Sequence, residues 1–139
     1  MMKLHPVMRE AVEKVLEQCA AKGLPFAMFE GYRSRARQQE LYDQGRLKPG
    51  NKVTRARPGE SYHQYGLAVD LVLCQGGKWS WKGSEKDWRE MQRIGIAAGL
   101  EALDFELPHL QLAGLKIRDL QAGHYPAGGD ASWLAVIGK

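Results

Sequence analysis

The stretch Ser61-Tyr62-His63-Gln64-Tyr65-Gly66-Leu67-Ala68-Val69-Asp70-Leu71-Val72-Leu73 decides how this chain reads. Residues 66–73 are apolar and rich in leucine and valine, the signature of a buried strand. One acid stands in their midst. An ionised carboxylate there must be paired or bound to a cation to offset its lost hydration. Strand alternation sends Ala68, Asp70 and Val72 to one face and Leu67, Val69, Leu71 and Leu73 to the other, where they can form core. The small Ala68 leaves space for a ligand beside Asp70. His63 lies seven residues before Asp70, and Gly66 permits a sharp turn that returns its imidazole over the strand. A histidine and an aspartate from one loop-strand unit can then share a metal.

Downstream, Gly76-Gly77 followed by residues 78–81 reads as a hairpin partner for this strand. Ser84 with Asp87 forms a helix start of the capping-box kind, and Trp88, Met91, Ile94 and Ala98 make a helical stripe that ends at Gly99. Segments 100–103 and 109–112 complete the sheet. Upstream, residues 6–22 carry Met8, Ala11, Val12, Val15, Leu16 and Cys19 at helical period, with Pro6 early and Gly23 just past the end. Residues 25–30 form a short buried strand. Ser34 caps a second helix over 35–44, with apolar contacts from Leu41 and Tyr42 and a stop at Gly45. Residues 46–60 hold Pro49, Gly50, Asn51, Pro58 and Gly59 and read as a loop long enough to be functional. Helices and strands mix without regular alternation. The expected class is α+β, a small antiparallel sheet flanked by helices in one domain over 1–139.

The chain has 139 residues, 44% hydrophobic and 26% charged, enough for a core without disulfides or a structural metal. A metal here is therefore expected to be catalytic. Cys19 and Cys74 form no Cys-x-x-Cys pair and read as buried thiols. The net charge is +4, with the excess concentrated in residues 33–57, so polyanions such as nucleic acid, anionic lipid or cell wall are favoured. No nucleic-acid motif accompanies that charge, and no nucleic-acid partner is expected. Residues 1–14 lack the apolar run of a signal peptide, and no stretch is long and apolar enough to span a bilayer. The expectation is a chain made in the cytoplasm, without stable membrane insertion, acting as a monomer.

A second cluster, Phe105-Glu106-Leu107-Pro108-His109, offers another imidazole and a carboxylate three residues before it. A catalytic zinc site uses three protein ligands, keeps one position for water and places an unligated carboxylate nearby to take a proton. His63, Asp70, His109 and Glu106 satisfy that inventory. The alternatives from residue chemistry alone are a buried hydrogen-bonded pair for His63 and Asp70, and a surface turn for Glu106 and His109. Asp104 is a rival base, and His124, in a glycine- and proline-flanked turn, is a rival ligand. His5 is expected to be exposed. Arg33 belongs either to a solvated basic face or, between a strand and a helix cap, to the site. Trp79, Trp81 and Trp88 read as core or hairpin packing in preference to a sugar-binding platform.

Residues 61–70 resemble the Ser-x-His-x-x-Gly-x-Ala-x-Asp motif of the LAS family of zinc peptidases. Glu30-Gly31-Tyr32-Arg33-Ser34, then Gln38 and Leu41-Tyr42-Asp43-Gln44-Gly45-Arg46, and later Glu106-x-x-His109-Leu110-Gln111, agree in order and spacing. The resemblance covers residues 26–111. It implies a LAS/hedgehog-like fold, with zinc (Zn2+) held by His63, Asp70 and His109. It also implies Glu106 as general base, Arg33 as the cation facing the oxyanion, and Ser61 and Gln38 as pocket residues that hold substrate or Arg33. The implied substrate is the peptidoglycan stem peptide. Cleavage of its L-alanyl-D-glutamate bond, as by phage or prophage endolysins reaching the wall at host lysis, is the leading expectation. VanY-like D-Ala-D-Ala carboxypeptidase or dipeptidase activity is the alternative, and a non-catalytic zinc-containing module that binds wall peptides is the alternative of another class. Residues 99–104 lack the tryptophan-glycine pair common in the family before the second cluster, which bears on pocket shape. The chain shows no added wall-binding module, as in lysins acting on thin-walled, Gram-negative hosts.

Overall fold

Apolar spacing dictates the first helix. Met8, Ala11, Val12, Val15 and Cys19 line the buried stripe of α1, Pro6–Ala21, and Pro6 opens it without losing a needed N–H. The computed structural model describes residues 3–128 and 133–134. His5 is not exposed as expected: only 1% of it is accessible. Its Nδ1 caps α1 by accepting from the Val7 N–H at 3.1 Å, while Nε2 lies 2.9 Å from the Pro126 carbonyl. Burial lowers its pKa, opposed by that carbonyl.

Strand β1, Phe26–Glu30, leads to helix α2, Arg35–Asp43, where Ser34 Oγ accepts from the Arg37 N–H. The buried residue of α2 is Gln38, whereas Leu41 and Tyr42 are only half-buried. Part of the basic run is engaged within the chain: Arg46 donates to the Tyr42 and Thr54 carbonyls, and the exposed Arg57 donates to the Tyr42 hydroxyl.

After a single 3-10 turn, Tyr62–Tyr65, come β2, Ala68–Gln75, β3, Lys78–Ser80, α3, Glu85–Ala97, β4, Leu100–Leu103, β5, Glu106–Leu112, and α4, Ile117–Gln121. The Ser84 cap is present. The sheet runs β1-β2-β5-β4, all antiparallel, with β3 hydrogen-bonded to the far end of β2. Strand β2 is thus central, and its pairing partners decide where Asp70 points.

Val69, Leu71 and Val72 pack with Leu110, with the α1 stripe, and with Trp88, Met91 and Ile94 of α3. Each such side chain, fully removed from water, contributes roughly 1.5–3 kcal/mol. Val72 is as deeply buried as its neighbours although it lies on the Asp70 face. Cys19 is a buried free thiol, pushed up to about 11 by that burial. Cys74, opposite Trp79 on the hairpin, is only half-buried, against expectation. Helix α4 was not expected. It closes a small second apolar cluster by setting Leu120 on Tyr65 and Leu67. Among the described residues no helix is long and apolar enough to cross a membrane.

Candidate metal centre

The turn that carries His63 is fixed by a reciprocal cap. Ser61 Oγ accepts from the His63 N–H at 3.3 Å, and Gln64 Oε1 accepts from the Ser61 N–H at 3.2 Å. Gly66 ends the turn at φ 66°, and a Cβ there would lie 2.7 Å from the Lys3 carbonyl oxygen. Only glycine fits such a left-handed position pressed against another backbone. The imidazole of His63, 3% exposed, sets Nδ1 2.7 Å from the Gly31 carbonyl and so turns Nε2 toward Asp70 Oδ2, 3.6 Å away.

His109 arrives by a different route. Strands β2 and β5 pair with Asp70 directly opposite His109, and His109 Nδ1 lies 3.3 Å from Asp70 Oδ1. Its Nε2 is 2.8 Å from Gln111 Oε1, and the Gln111 amide nitrogen donates to Glu101 Oε1 at 2.7 Å. That chain places the ring proton on Nε2 and leaves Nδ1 as a lone-pair donor. The two imidazoles stand edge-on, centroids 5.2 Å apart.

Among the described residues His109 Nδ1 is buried without a hydrogen-bond partner. An orphaned buried nitrogen of this kind calls for an unseen partner. One donor atom each from His63, Asp70 and His109 lie within 4.8 Å of one another. Ligand atoms about 2.0–2.2 Å from a tetrahedral zinc sit roughly 3.3–3.5 Å apart, and the imidazoles of His63 and His109 stand 3.6 Å from Asp70 Oδ2 and 3.3 Å from Asp70 Oδ1 respectively. The residues present therefore fit a zinc ion.

Glu106, at the start of β5, puts a carboxylate oxygen 3.5 Å from His109 Nδ1 and leaves its side chain 47% exposed. Arg33 is no solvated surface charge: its guanidinium forks onto Glu30 at 2.7 and 3.0 Å and donates to Gln38 Oε1 at 3.0 Å. Its Nη2 reaches within 3.7 Å of Asp70 Oδ2. The Arg33 backbone N–H also donates to the His63 carbonyl. Asp104, in the turn between β4 and β5, and His124, after α4, are exposed, and neither belongs to the three-residue cluster.

Residues 1–111 match the VanY family, D-alanyl-D-alanine carboxypeptidase. The chain belongs to this family. It is 41% identical over 106 residues to the peptidoglycan L-alanyl-D-glutamate endopeptidase CwlK of Bacillus subtilis (strain 168), a match covering 70% of this chain and 64% of CwlK. The chain thus spans less than two-thirds of that relative. Among solved structures, the L-Ala D-Glu endopeptidase ChiX of Serratia marcescens superimposes with a TM-score of 0.58 at 26% identity over 84% of each chain. A mutant of the vancomycin-resistance D,D-pentapeptidase VanY, solved in complex with Zn(II), gives a TM-score of 0.62 at 19% identity over 87% of this chain and 78% of that one. The fold is that of the LAS/VanY-type zinc peptidases.

Within this VanY-family frame, the electrostatics centre on Asp70. Burial raises its pKa, but the adjoining His109 and His63 outweigh that and hold it well below the ordinary carboxylate range. Burial lowers the pKa of His109, but Asp70, Gln111 and Glu106 carry it upward on balance. Glu30 is pulled down by Arg33 against its own burial. The site so holds a fixed anion between two imidazoles, the charge pattern that a cation completes.

Gln38 is fully buried, with Oε1 accepting from Arg33 and Gln64 and Nε2 donating to the Ala56 carbonyl. Its Oε1 thus supports the Arg33 guanidinium from within the fold. Ser61 spends its hydroxyl on the cap. Sequence reasoning assigned no role to Glu30, Gln111 or Glu101. Gln111 was findable, since residues two apart on a strand share a face and His109 needs a partner for its second nitrogen. The Glu101 contact depends on β4 pairing with β5, which spacing alone does not disclose. An open hollow of about 450 Å³ adjoins the centre, lined by Asp70, Glu106, Phe29, Trp81, Phe105 and Pro108 among others.

Proposed function

We propose that this chain is a zinc-dependent peptidoglycan peptidase that hydrolyses the L-alanyl-D-glutamate bond of the stem peptide. The observation that carries the reading is the buried, partnerless His109 Nδ1 facing Asp70 and His63, with the Glu106 carboxylate at the rim of the same hollow. The 41% identity to CwlK supports this choice of bond.

His63, Asp70 and His109 hold the ion. Zinc, when bound, supplies a Lewis acid and makes water acidic enough to act as a nucleophile near neutral pH. Glu106 takes a proton from the attacking water and returns it to the departing amine nitrogen. Water oxygen thereby joins the carbonyl carbon, the C–N bond breaks, and a carboxyl and an amine remain. Arg33, clamped by Glu30 and Gln38, presents a permanent positive charge to the carbonyl oxygen as it gains electrons. Gln38 positions Arg33, and Ser61 secures the turn that aims His63 and borders the substrate.

D-Ala-D-Ala carboxypeptidase or dipeptidase activity is the second reading, supported by the description of the matching family. Digesting purified peptidoglycan with the zinc-loaded protein and sequencing the new termini by mass spectrometry separates the two. New N-terminal glutamate establishes the first and released D-alanine the second. Intact stem peptides after prolonged incubation contradict both and leave a wall-peptide binding module.

A further inference from the structure

We propose that Phe29, Trp79 and Trp81 form a platform for an N-acetylated sugar ring of the glycan strand, so that the enzyme reads the sugar next to the peptide it cuts. This inference rests on the reading of the chain as a wall peptidase.

Phe29 is the extra residue of a β-bulge. Met28 pairs with Leu71 and Glu30 with Asp70, so one residue of β1 has no counterpart on β2. Bulges of this kind re-aim a side chain and concentrate beside active sites. Here Phe29 is left 45% exposed, and Trp79 and Trp81 of the neighbouring hairpin are 41% and 52% exposed. The Phe29 ring meets Trp79 at 5.2 Å and Trp81 at 4.9 Å between centroids, both nearly perpendicular. Trp88, by contrast, sits in the core against Phe26.

Three contiguous aromatic rings left in water mark a recognition surface more often than a packing accident. Their position names the occupant. Phe29 and Trp81 line the same hollow as Asp70 and Glu106, so whatever covers them is continuous with the substrate at the metal. Indole and phenyl faces suit a ligand with one apolar face and a polar rim. A pyranose ring is such a ligand, with axial C–H bonds on its face and hydroxyl and acetamido groups at its edge. Lys78 and Lys82, next to Trp79 and Trp81 in sequence, are exposed.

Peptidoglycan chemistry then ties the platform to the bond cut. In the stem peptide the first residue, L-alanine, is joined to the muramyl sugar. Cleavage after that residue puts the sugar about one extended residue, roughly 3.5 Å plus the lactyl arm, from the scissile carbonyl. For D-Ala-D-Ala cleavage the sugar is about four residues away, roughly 14 Å. An aromatic surface bordering the catalytic hollow serves the first geometry.

Two measurements test the platform. Steady-state kinetics of the wild type and Trp79→Ala are compared on a disaccharide-peptide and on the same peptide without sugar. Trp79→Ala, at the ring of the patch that does not line the hollow, is expected to lower kcat/KM about tenfold on the disaccharide-peptide, through KM, and less than about twofold on the free peptide, with Trp79→Phe recovering part of the loss. Equal losses on the two substrates, or none, overturn the proposal. The second measurement needs no variant: the peptide-free disaccharide is titrated into wild-type protein while tryptophan fluorescence is followed. A saturable change supports the platform, and a flat signal up to millimolar sugar contradicts it. Because this titration reads binding alone, a wild type that binds sugar yet cleaves neither substrate refutes the peptidase reading and leaves the platform standing.

Discussion

The two histidines of the centre are delivered by opposite means. His63 is placed by a local device: a capped turn, a left-handed glycine and a hydrogen bond to the Gly31 carbonyl. His109 is placed by register, because β5 pairs with β2 so that it falls opposite Asp70, and its ring is held by a side-chain relay through Gln111 to Glu101. The local arm depends on the backbone of its own short turn and on the Gly31 and Lys3 carbonyls that lie against it. The long-range arm depends on the whole sheet and on one amide that substitution can remove.

That asymmetry can be broken from either side. The largest effects fall on the residues both arms serve. Removing an imidazole by His63→Ala or His109→Ala is expected to abolish zinc binding and cleavage together. Glu106→Ala keeps the metal and lowers kcat by about 10²–10⁴-fold. Metal analysis beside a peptidoglycan digest reads both outcomes, and a fully active Glu106→Ala rules out the assigned base.

Next in size is the relay. Gln111→Leu leaves His109 Nε2 without its acceptor and is expected to weaken zinc affinity about 10–100-fold, measured by competition with a chelator. The His63 arm has no equivalent weakness, since its partner is a backbone carbonyl. Its weak point is Gly66. Gly66→Ala forces a Cβ into the Lys3 carbonyl at a left-handed φ and is expected to cost about 1–3 kcal/mol of stability in denaturant unfolding. A Gly66→Ala protein as stable as wild type removes the turn from the account.

The smallest effect is a pH dependence at the foot of the local arm. The His5 backbone N–H donates to the Gly66 carbonyl, and its ring is held neutral by burial, with Nδ1 accepting from Val7. A histidine whose folded pKa is lowered contributes stability that is present above the unfolded value near 6.5 and lost as pH falls through the folded value. Unfolding midpoints compared at pH 8 and pH 5 should fall further for wild type than for His5→Asn, which keeps a capping side chain without a titrating ring. Equal falls contradict a titrating role for the buried His5 ring.

Much of this site was legible before any coordinates. Asp70 in an apolar strand announces a partner, and the Ser61 to Asp70 spacing with Gly66 supplies the turn, because both are local demands on a short segment. The helices over 6–21 and 85–97 follow from caps and stripes for the same reason. What stayed hidden is long-range. His5 looked like a surface residue because its burial depends on the Pro126 carbonyl, distant in sequence. The wetness of Trp79 and Trp81 follows from a bulge in β1 and an edge strand, which no alternation of residue types discloses. Helix α4 is short and has no side-chain cap, so its sequence carries no start signal.

The central claim is that two imidazoles and one carboxylate from these two arms close on a single ion. Zinc K-edge X-ray absorption of protein loaded with one equivalent of zinc tests it most directly. The account predicts nitrogen and oxygen neighbours at about 2.0–2.2 Å with the outer-shell scattering of two imidazoles, and loss of that imidazole scattering in His109→Ala, which no longer holds the ion. Sulfur neighbours at about 2.3 Å, or an imidazole signal unchanged in His109→Ala, would contradict it.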